Sequence, residues 1–259
     1  MKNEAYHPEP YWNKVANRIK KRKRGGGSLA GDHEPYYAYK RKKFLKLLHS
    51  VDFNNNKVLE IGCGPGGNLK EIATNYSPEK LVGADISAEM LSLAGQNLEN
   101  HPVSLHKVNG ESLPFADGEF DLVFTATVLQ HNTSESMLVR NLEEICRVCS
   151  DRLILFERVE RKITGDDLCL GRPVAYYQQL VEGQGFKLVS VKPINVRVSY
   201  LVCGAIRKIF NARDHEEGMP PSQATVILQK MMLPVTRVLD RLVGSMSDVT
   251  KMEFRRADR

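Results

Sequence analysis

One short stretch of this chain concentrates glycines and an acid in a pattern that binds nucleotides. Residues 58–69 read VLEIGCGPGGNL, so Gly62, Gly64 and Gly67 satisfy G-x-G-x-x-G after an apolar run, and Asp85 follows 18 residues beyond the last glycine. Glycines so spaced, Gly66 among them, let a ligand approach the backbone and set a helix N-terminus against it. By spacing alone this is a nicotinamide-dinucleotide pattern, with pyrophosphate at the helix terminus and the acid on a ribose. Glu60 argues otherwise. It lies two residues before the first glycine and points to the same mouth, where a carboxylate opposes pyrophosphate but favours an ammonium or a sulfonium. S-adenosylmethionine carries both and has no phosphate.

Displacement at a sulfonium methyl group needs a positioned nucleophile and, for an alcohol, a nearby base. His131 follows the apolar run 120–125 and Glu157 ends the run 152–157, which puts both at the rim where an acceptor is expected. Imidazole has the better intrinsic pKa for that work. Arg172, in LGRPVAYY, suits an anionic acceptor or a loop ion pair equally. Cys146 and Cys149 form a C-x-x-C, yet Leu138, Leu142 and Ile145 share their helical face and no second pair completes a tetrahedral site. Both are expected in the core, and no metal site is expected.

The elements that position these groups alternate from residue 57 onward. KVLEIG (57–62), KLVGAD (80–85), VSLHKV (103–108), FDLVFT (120–125), RLILFE (152–157) and GFKLVSVKP (185–193) read as strands. Helices are expected between them, including 134–149, 173–183 and one capped by Ser87. Such alternation means βαβ units and an α/β fold, a mostly parallel sheet covered on both faces. Ahead of it, 9–23 carries Trp12, Val15 and Ile19 at helical spacing, GGGSLAGD (25–32) reads as a hinge, and 35–49 forms a second helix. On that helix Arg41 shares a stripe with Tyr37, Phe44, Leu45 and Leu48, and a charge on a buried face needs a partner. Beyond the alternating region, 199–211 and 222–243 read as helices, the latter with an apolar stripe at Val235, Val238, Leu239, Leu242 and Val243. TKMEFRR (250–256) reads as a last strand.

Four segments in order, VLEIGCGPGGNL, GADIS (83–87), VNGESLPFADGEFDLVFTATVLQH (108–131) and RLILFE, make the chain resemble the class I S-adenosylmethionine-dependent methyltransferases. It looks most like the branch of ubiquinone/menaquinone-biosynthesis and small-molecule enzymes. The resemblance implies a Rossmann-like seven-stranded sheet and S-adenosylmethionine as cofactor. It implies that Glu60 and Gly62 border the methionine part, with Gly64 and Gly66 in the close turn. Asp85 is then expected on the ribose hydroxyls and Ile86 against the adenine. Asn109 stands where the family usually has Asp and is expected at the adenine amino group, with Gly110 and Glu111 adjoining. Thr125 is expected to present backbone to the methionine ammonium, and Arg41 to meet the methionine carboxylate. The sequence TATV (125–128) lacks the Asn/Asp-Pro-Pro-aromatic signature of nucleobase amino methylation, and no cysteine nucleophile stands there. Asp121 opens its strand instead of ending it, which argues against a catechol-type Mg²⁺ site.

The implied layout is an N-terminal helical cap (1–50), a cofactor-binding core (51–198), a helical lid (199–248) and a final strand (249–259). The expected reaction is O-methylation of a small molecule, sugar, glycan or lipid-linked intermediate. The formal net charge of +6 equals the charge of the run RIKKRKR (18–24), so the rest of the chain is balanced. That run keeps an RNA methyltransferase as an alternative and nucleic acid as a less favoured partner. A non-catalytic binding protein of the same fold is a further alternative. An odd number of cysteines, five, fits reduced thiols. No apolar run reaches the roughly 20 residues of a membrane span, and the start lacks a signal-peptide core, so a cytoplasmic location is expected.

Overall fold

The computed structural model describes residues 7–21, 34–212, 215–244 and 247–257. The expected hinge at 25–32 and the end of the basic run, 22–24, lie outside the described residues. Helices α1 (Pro8–Lys20) and α2 (Pro35–Leu48) precede strand β1 (Lys57–Ile61). Then come α3 (Gly67–Asn75), β2 (Lys80–Asp85), α4 (Ala88–Asn97), β3 (Ser104–Lys107) and β4 (Phe120–Ala126). A 3-10 turn (Leu129–His131) leads to α5 (Glu135–Val148) and β5 (Cys149–Val159). A small hairpin, β6 (Thr164–Gly165) and β7 (Leu170–Gly171), precedes α6 (Val174–Glu182) and β8 (Phe186–Pro193). Helices α7 (Arg197–Phe210) and α8 (Gln223–Leu242) separate β8 from β9 (Asp248–Arg256).

The sheet is seven-stranded in the order β3-β2-β1-β4-β5-β9-β8, parallel except where β9 pairs antiparallel with β5 and β8. Strand alternation divides its side chains between two apolar layers. Leu59, Val123, Leu153 and Leu155 join Leu138, Leu142 and Ile145 of α5 on one face. Val58, Leu122, Phe124 and Phe156 meet Phe44 and Leu48 of α2 and Leu69 of α3 on the other. Cys146 and Cys149 are buried in the first layer, where burial pushes both thiols up to about 12. The strand order reverses between β1 and β4, which run parallel: β2 and β3 lie to one side of β1, β4 and β5 to the other. Ligand crevices of open α/β sheets form at the carboxyl ends of the strands at such a point.

The apolar stripe of α8 faces outward. Val235, Val238, Leu239, Leu242 and Val243 are exposed, whereas Thr225, Gln229, Leu233, Thr236 and Asp240 are buried. The buried face is largely polar because α2 and α7 supply it with hydrogen-bond partners. Gln229 Oε1 accepts from the Tyr36 backbone N–H (3.1 Å), and Ser199 donates to Asp240 Oδ2 (2.6 Å). On α2, Tyr37 is likewise at the surface, where its hydroxyl accepts from Arg207, while Tyr36 and Tyr39 are buried in its place.

Candidate active site

A cleft of about 1400 Å³ opens at the carboxyl ends of β1 and β4. The glycine loop forms its floor. Gly66 has φ +81°, a left-handed backbone that turns the chain into α3 and favours glycine, and Gly62 lets Val128 approach so closely that a Cβ would lie 2.3 Å from its Cγ2. The loop is tied to β2 from below. Gly62 and Cys63 donate to the Ala84 carbonyl, and Gly64 donates to Asp85 Oδ2 at 2.7 Å.

Glu60 lies on this floor with only 1% of its surface exposed. Asn68 donates to its Oε1 at 2.6 Å, while Oε2 has no hydrogen-bond partner among the described residues. Burial raises its carboxyl to about 8, with Asn68 and the Arg41 charge pulling the other way. Arg41 donates in turn to Asn68 Oδ1 and to the Gly67 carbonyl (3.2 Å), and its guanidinium lies 5.1 Å from the Phe44 ring centroid. The charge on α2's stripe thus has its partners at the first turn of α3. Asn68 links the two charges. Its role was not visible in the sequence, where it is one more polar residue opening a helix.

Asp85 is buried at the end of β2, and its Oδ1 accepts from the Ser87 N–H at 2.8 Å. Burial raises its carboxyl, opposed by the backbone N–H groups of Ser87, Gly64 and Ile86. Ile86 and Gly110 line the cleft beside it, and a Cβ on Gly110 would sit 3.1 Å from Ile86 Cδ1, so the two approach closely. Asn109 and Glu111 are exposed and are not among the lining residues. The Asn109 side-chain oxygen instead accepts from the N–H groups of Glu111 (2.9 Å) and Ser112 (3.1 Å), closing a turn.

Thr125 does not reach the cleft: its backbone sits in the ladder between β1 and β5, and its hydroxyl donates to Glu157 at 2.7 Å. Ala126 and Thr127 line the cleft in its place, Thr127 with φ +60°, a strained value for a β-branched residue. Glu157 is fully buried and stands off the rim where the sequence placed it. Its carboxylate also accepts from the N–H groups of Val128 (3.1 Å) and Gln130 (3.2 Å). Arg172, buried as well, donates to the carbonyls of Leu129 (3.0 Å) and Asn132 (2.6 Å). Two opposite charges therefore clamp the amide and carbonyl sides of the 3-10 turn. Neither Glu157 nor Arg172 lines the cleft.

That turn carries His131, which does line it. His131 Nδ1 lies 2.8 Å from the Leu168 carbonyl and so donates to it, leaving Nε2 to accept from the Gln130 side chain at 3.1 Å. Burial lowers its pKa, which favours neutral imidazole at pH 7. The Trp12 ring meets it edge-on at 4.9 Å. Trp12 shares its stripe with Val15 and Ile19, which pack on Met90 and Leu93, and both Trp12 and Ile19 also line the cleft.

Residues 58–152 match the family model for a methyltransferase domain. They form a class I S-adenosylmethionine-dependent methyltransferase domain. The chain is 32% identical over 111 residues to malonyl-[acyl-carrier protein] O-methyltransferase of Legionella pneumophila, covering 42% of this chain and 37% of that protein. It is 28% identical over 83 residues to fatty-acid O-methyltransferase of Mycolicibacterium smegmatis, covering 30% of each. The chain thus spans well under half the length of these relatives. Magnesium protoporphyrin IX methyltransferase from Synechocystis, solved with bound S-adenosylmethionine, superposes with a TM-score of 0.60 at 14% identity over 96% of this chain and 95% of that one. The methyltransferase-domain floor fits its cofactor: a buried carboxylate oxygen without a partner suits a cationic ligand, and Asp85 offers a second carboxylate for hydroxyls.

Proposed function

We propose that this chain transfers a methyl group from S-adenosylmethionine to an oxygen of a small or lipid-linked acceptor. The observation that carries the reading is the unpartnered Oε2 of buried Glu60 on the floor of the cleft. Held there in its ionised form, it complements an ammonium or sulfonium and repels a pyrophosphate. Arg41 takes the methionine carboxylate, Asp85 the ribose hydroxyls, and Ile86 with Gly110 the adenine. Held by these residues, the cofactor would supply an electrophilic methyl group: the acceptor oxygen would gain the C–O bond, the C–S bond would break, and S-adenosylhomocysteine would leave. Residues of the chain then have to align that acceptor, exclude water and receive a proton. The upper walls do the first two: Trp12, Leu129, Met137, Tyr200, Leu201 and Met219 are mainly apolar and accommodate an apolar acceptor. His131 receives the proton on Nε2 once the Gln130 side chain yields that position. Glu157 and Arg172 act through the turn they clamp, as positioning residues.

Lys21 is exposed, but the other two described cations of the basic run weigh against RNA. Arg18 is paired with Glu216 and Lys20 with Glu89, so both charges are engaged within the chain.

Titration calorimetry with S-adenosylhomocysteine tests the reading. Wild-type protein binds, and Asp85→Ala weakens binding by about 100-fold, the worth of two charge-assisted hydrogen bonds. Unchanged affinity in the variant, or tighter binding of NAD than of S-adenosylhomocysteine, would overturn it.

A further inference from the structure

Helices α7 and α8 form an antiparallel pair. Ser199, near the start of α7, bonds Thr236 and Asp240, and Asn211, just past its end, bonds Thr225. Their inner faces pack on each other and on α2. Their outer faces are apolar. On α8, Ile227, Met231, Val235, Val238 and Leu242 recur at i, i+4, i+8, i+11 and i+15, and Leu242 is 76% exposed. On α7, Leu201 and Ile209 are 60% and 70% exposed. These side chains stand where water would normally meet polar groups.

The exposed charges of the two helices have one sign. Arg197 and Lys208 on α7, and Lys230, Arg237 and Arg241 on α8, are exposed. Helix α7 contains no acid, and the one acid of α8, Asp240, is buried in hydrogen bonds on the inner face. Lys230, Arg237 and Arg241 fall on one edge of the apolar stripe, at helical positions next to Pro234 and Ile227. A second copy of the chain docked face to face would bring two cationic rims together, which like-charge repulsion opposes. An anionic bilayer meets both features at once: apolar side chains enter the boundary between headgroups and acyl chains, and lysines and arginines meet lipid phosphates. No described helix is long and apolar enough to cross a membrane, and α8, at 20 residues or about 30 Å, suits a helix lying in the interface plane.

We propose that the outward face of α7 and α8 is a docking surface for an anionic lipid bilayer. Leu201 belongs both to this face and to the wall of the cleft, as does its neighbour Tyr200, so the cleft opens beside the docked surface. An acceptor with its hydrocarbon part in the bilayer then reaches the cleft laterally. This last step rests on the methyltransferase reading; adsorption to the bilayer does not.

Vesicle flotation of the full chain tests the surface. Phosphatidylcholine vesicles with about 30% phosphatidylglycerol carry the protein with them, pure phosphatidylcholine vesicles do so weakly, and molar salt releases it. The double substitution Met231→Glu with Val238→Glu lowers the bound fraction by about tenfold. Both positions are exposed, so the melting temperature and S-adenosylhomocysteine affinity stay at wild-type values. Asp85→Ala separates the two readings, because it floats like wild type while losing cofactor affinity. Wild-type protein that stays unbound with anionic vesicles, equal binding to neutral ones, or a double variant that floats undiminished would overturn the proposal. So would light scattering that finds a dimer dissociated by the same two substitutions.

Discussion

The central sheet and the α7–α8 pair solve the burial problem in opposite ways. In the sheet, alternate apolar residues point into two layers, and α5 turns Leu138, Leu142 and Ile145 inward. In the helical pair the inner face is held by Thr225, Gln229, Ser199, Thr236 and Asp240, while the longest apolar stripe faces out. The first arrangement is driven by removal of apolar surface from water. The second depends on mutual satisfaction of polar groups, each of which costs free energy if its partner is lost. The difference separates what makes the domain fold from what adapts it to a setting.

Asp240 is the place to break that arrangement. The N-cap position of α7, Val196, offers no side-chain cap, and Asp240 replaces it from α8 by accepting from the N–H groups of Val198 (2.8 Å) and Ser199 (3.1 Å). It also accepts from the Ser199 hydroxyl and from the Tyr39 phenol, which burial and then the Asp240 charge push up to about 12. Asn195 returns the favour by donating to the Asp240 and Val243 carbonyls at the end of α8. Asp240→Ala leaves several buried donors without an acceptor and is expected to cost about 3 kcal/mol in urea unfolding. That equals the cost expected for a large-to-small change in the sheet layers, such as Leu142→Ala. A loss below about 0.5 kcal/mol would show that the inner polar face is dispensable.

The sheet was legible because its signals are local. Apolar runs of strand length, the cap at Ser87 and the acid ending β2 each carry their meaning within a few residues, and Ser87 does accept from the Met90 N–H at 3.0 Å. Glu60 was legible for the same reason, since charge two residues from a glycine loop acts on whatever the loop holds. Other placements depended on partners far along the chain. Gln229 meets the backbone of Tyr36 across 193 residues, and Tyr39 meets Asp240 across 201. A hydrophobic stripe on α8 gives the direction of its apolar face but not what lies opposite, so the sequence could not tell an inward face from an outward one. Glu157 and Arg172 misled in another way. Glu157, ending a strand, reads as a rim residue, and Arg172 reads as a partner for an anionic acceptor or a loop ion pair, yet both turn inward to the backbone of Val128–Asn132. Only the fold reveals that they hold the turn carrying His131 and do not line the cleft.

Within the sheet region, the floor of the cleft also borrows the other logic, with a buried charge awaiting a partner. Burial raises Glu60 from 4.5 to about 8, so folded chains keep a proton there that unfolded chains release. Between about pH 5 and pH 8 the folded state therefore binds more protons than the unfolded one, and this group's cost to stability grows as pH rises. A cationic ligand reverses the balance by favouring the ionised form. Affinity for S-adenosylhomocysteine, whose ammonium is then in place, is expected to climb between pH 6 and pH 8 by up to about tenfold per unit. Glu60→Gln should flatten that slope and relieve the ligand-free protein of its loss of stability at high pH. Calorimetric titration across this range checks both, and a slope unchanged in Glu60→Gln would place the titrating group elsewhere.

The smallest effect belongs to the outer face of α8. Val235 is 54% exposed and sits on the stripe opposite Thr236 and Asp240, so shortening it removes little buried area. Val235→Ala also replaces a β-branched residue by the best helix former, a gain that offsets the little packing the valine gives up. The net change in unfolding free energy is expected within about 0.5 kcal/mol of zero. Leu142→Ala, also a change from a branched apolar residue to alanine on a helix, is expected to cost several times more, because Leu142 is 1% exposed against the sheet. Measured on the isolated chain, a cost for Val235→Ala approaching that of Leu142→Ala would mean that the outer face is already covered in solution by a second copy. Near-zero cost with an intact helix leaves the stripe bare in water, where its apolar side chains contribute to adsorption and not to folding.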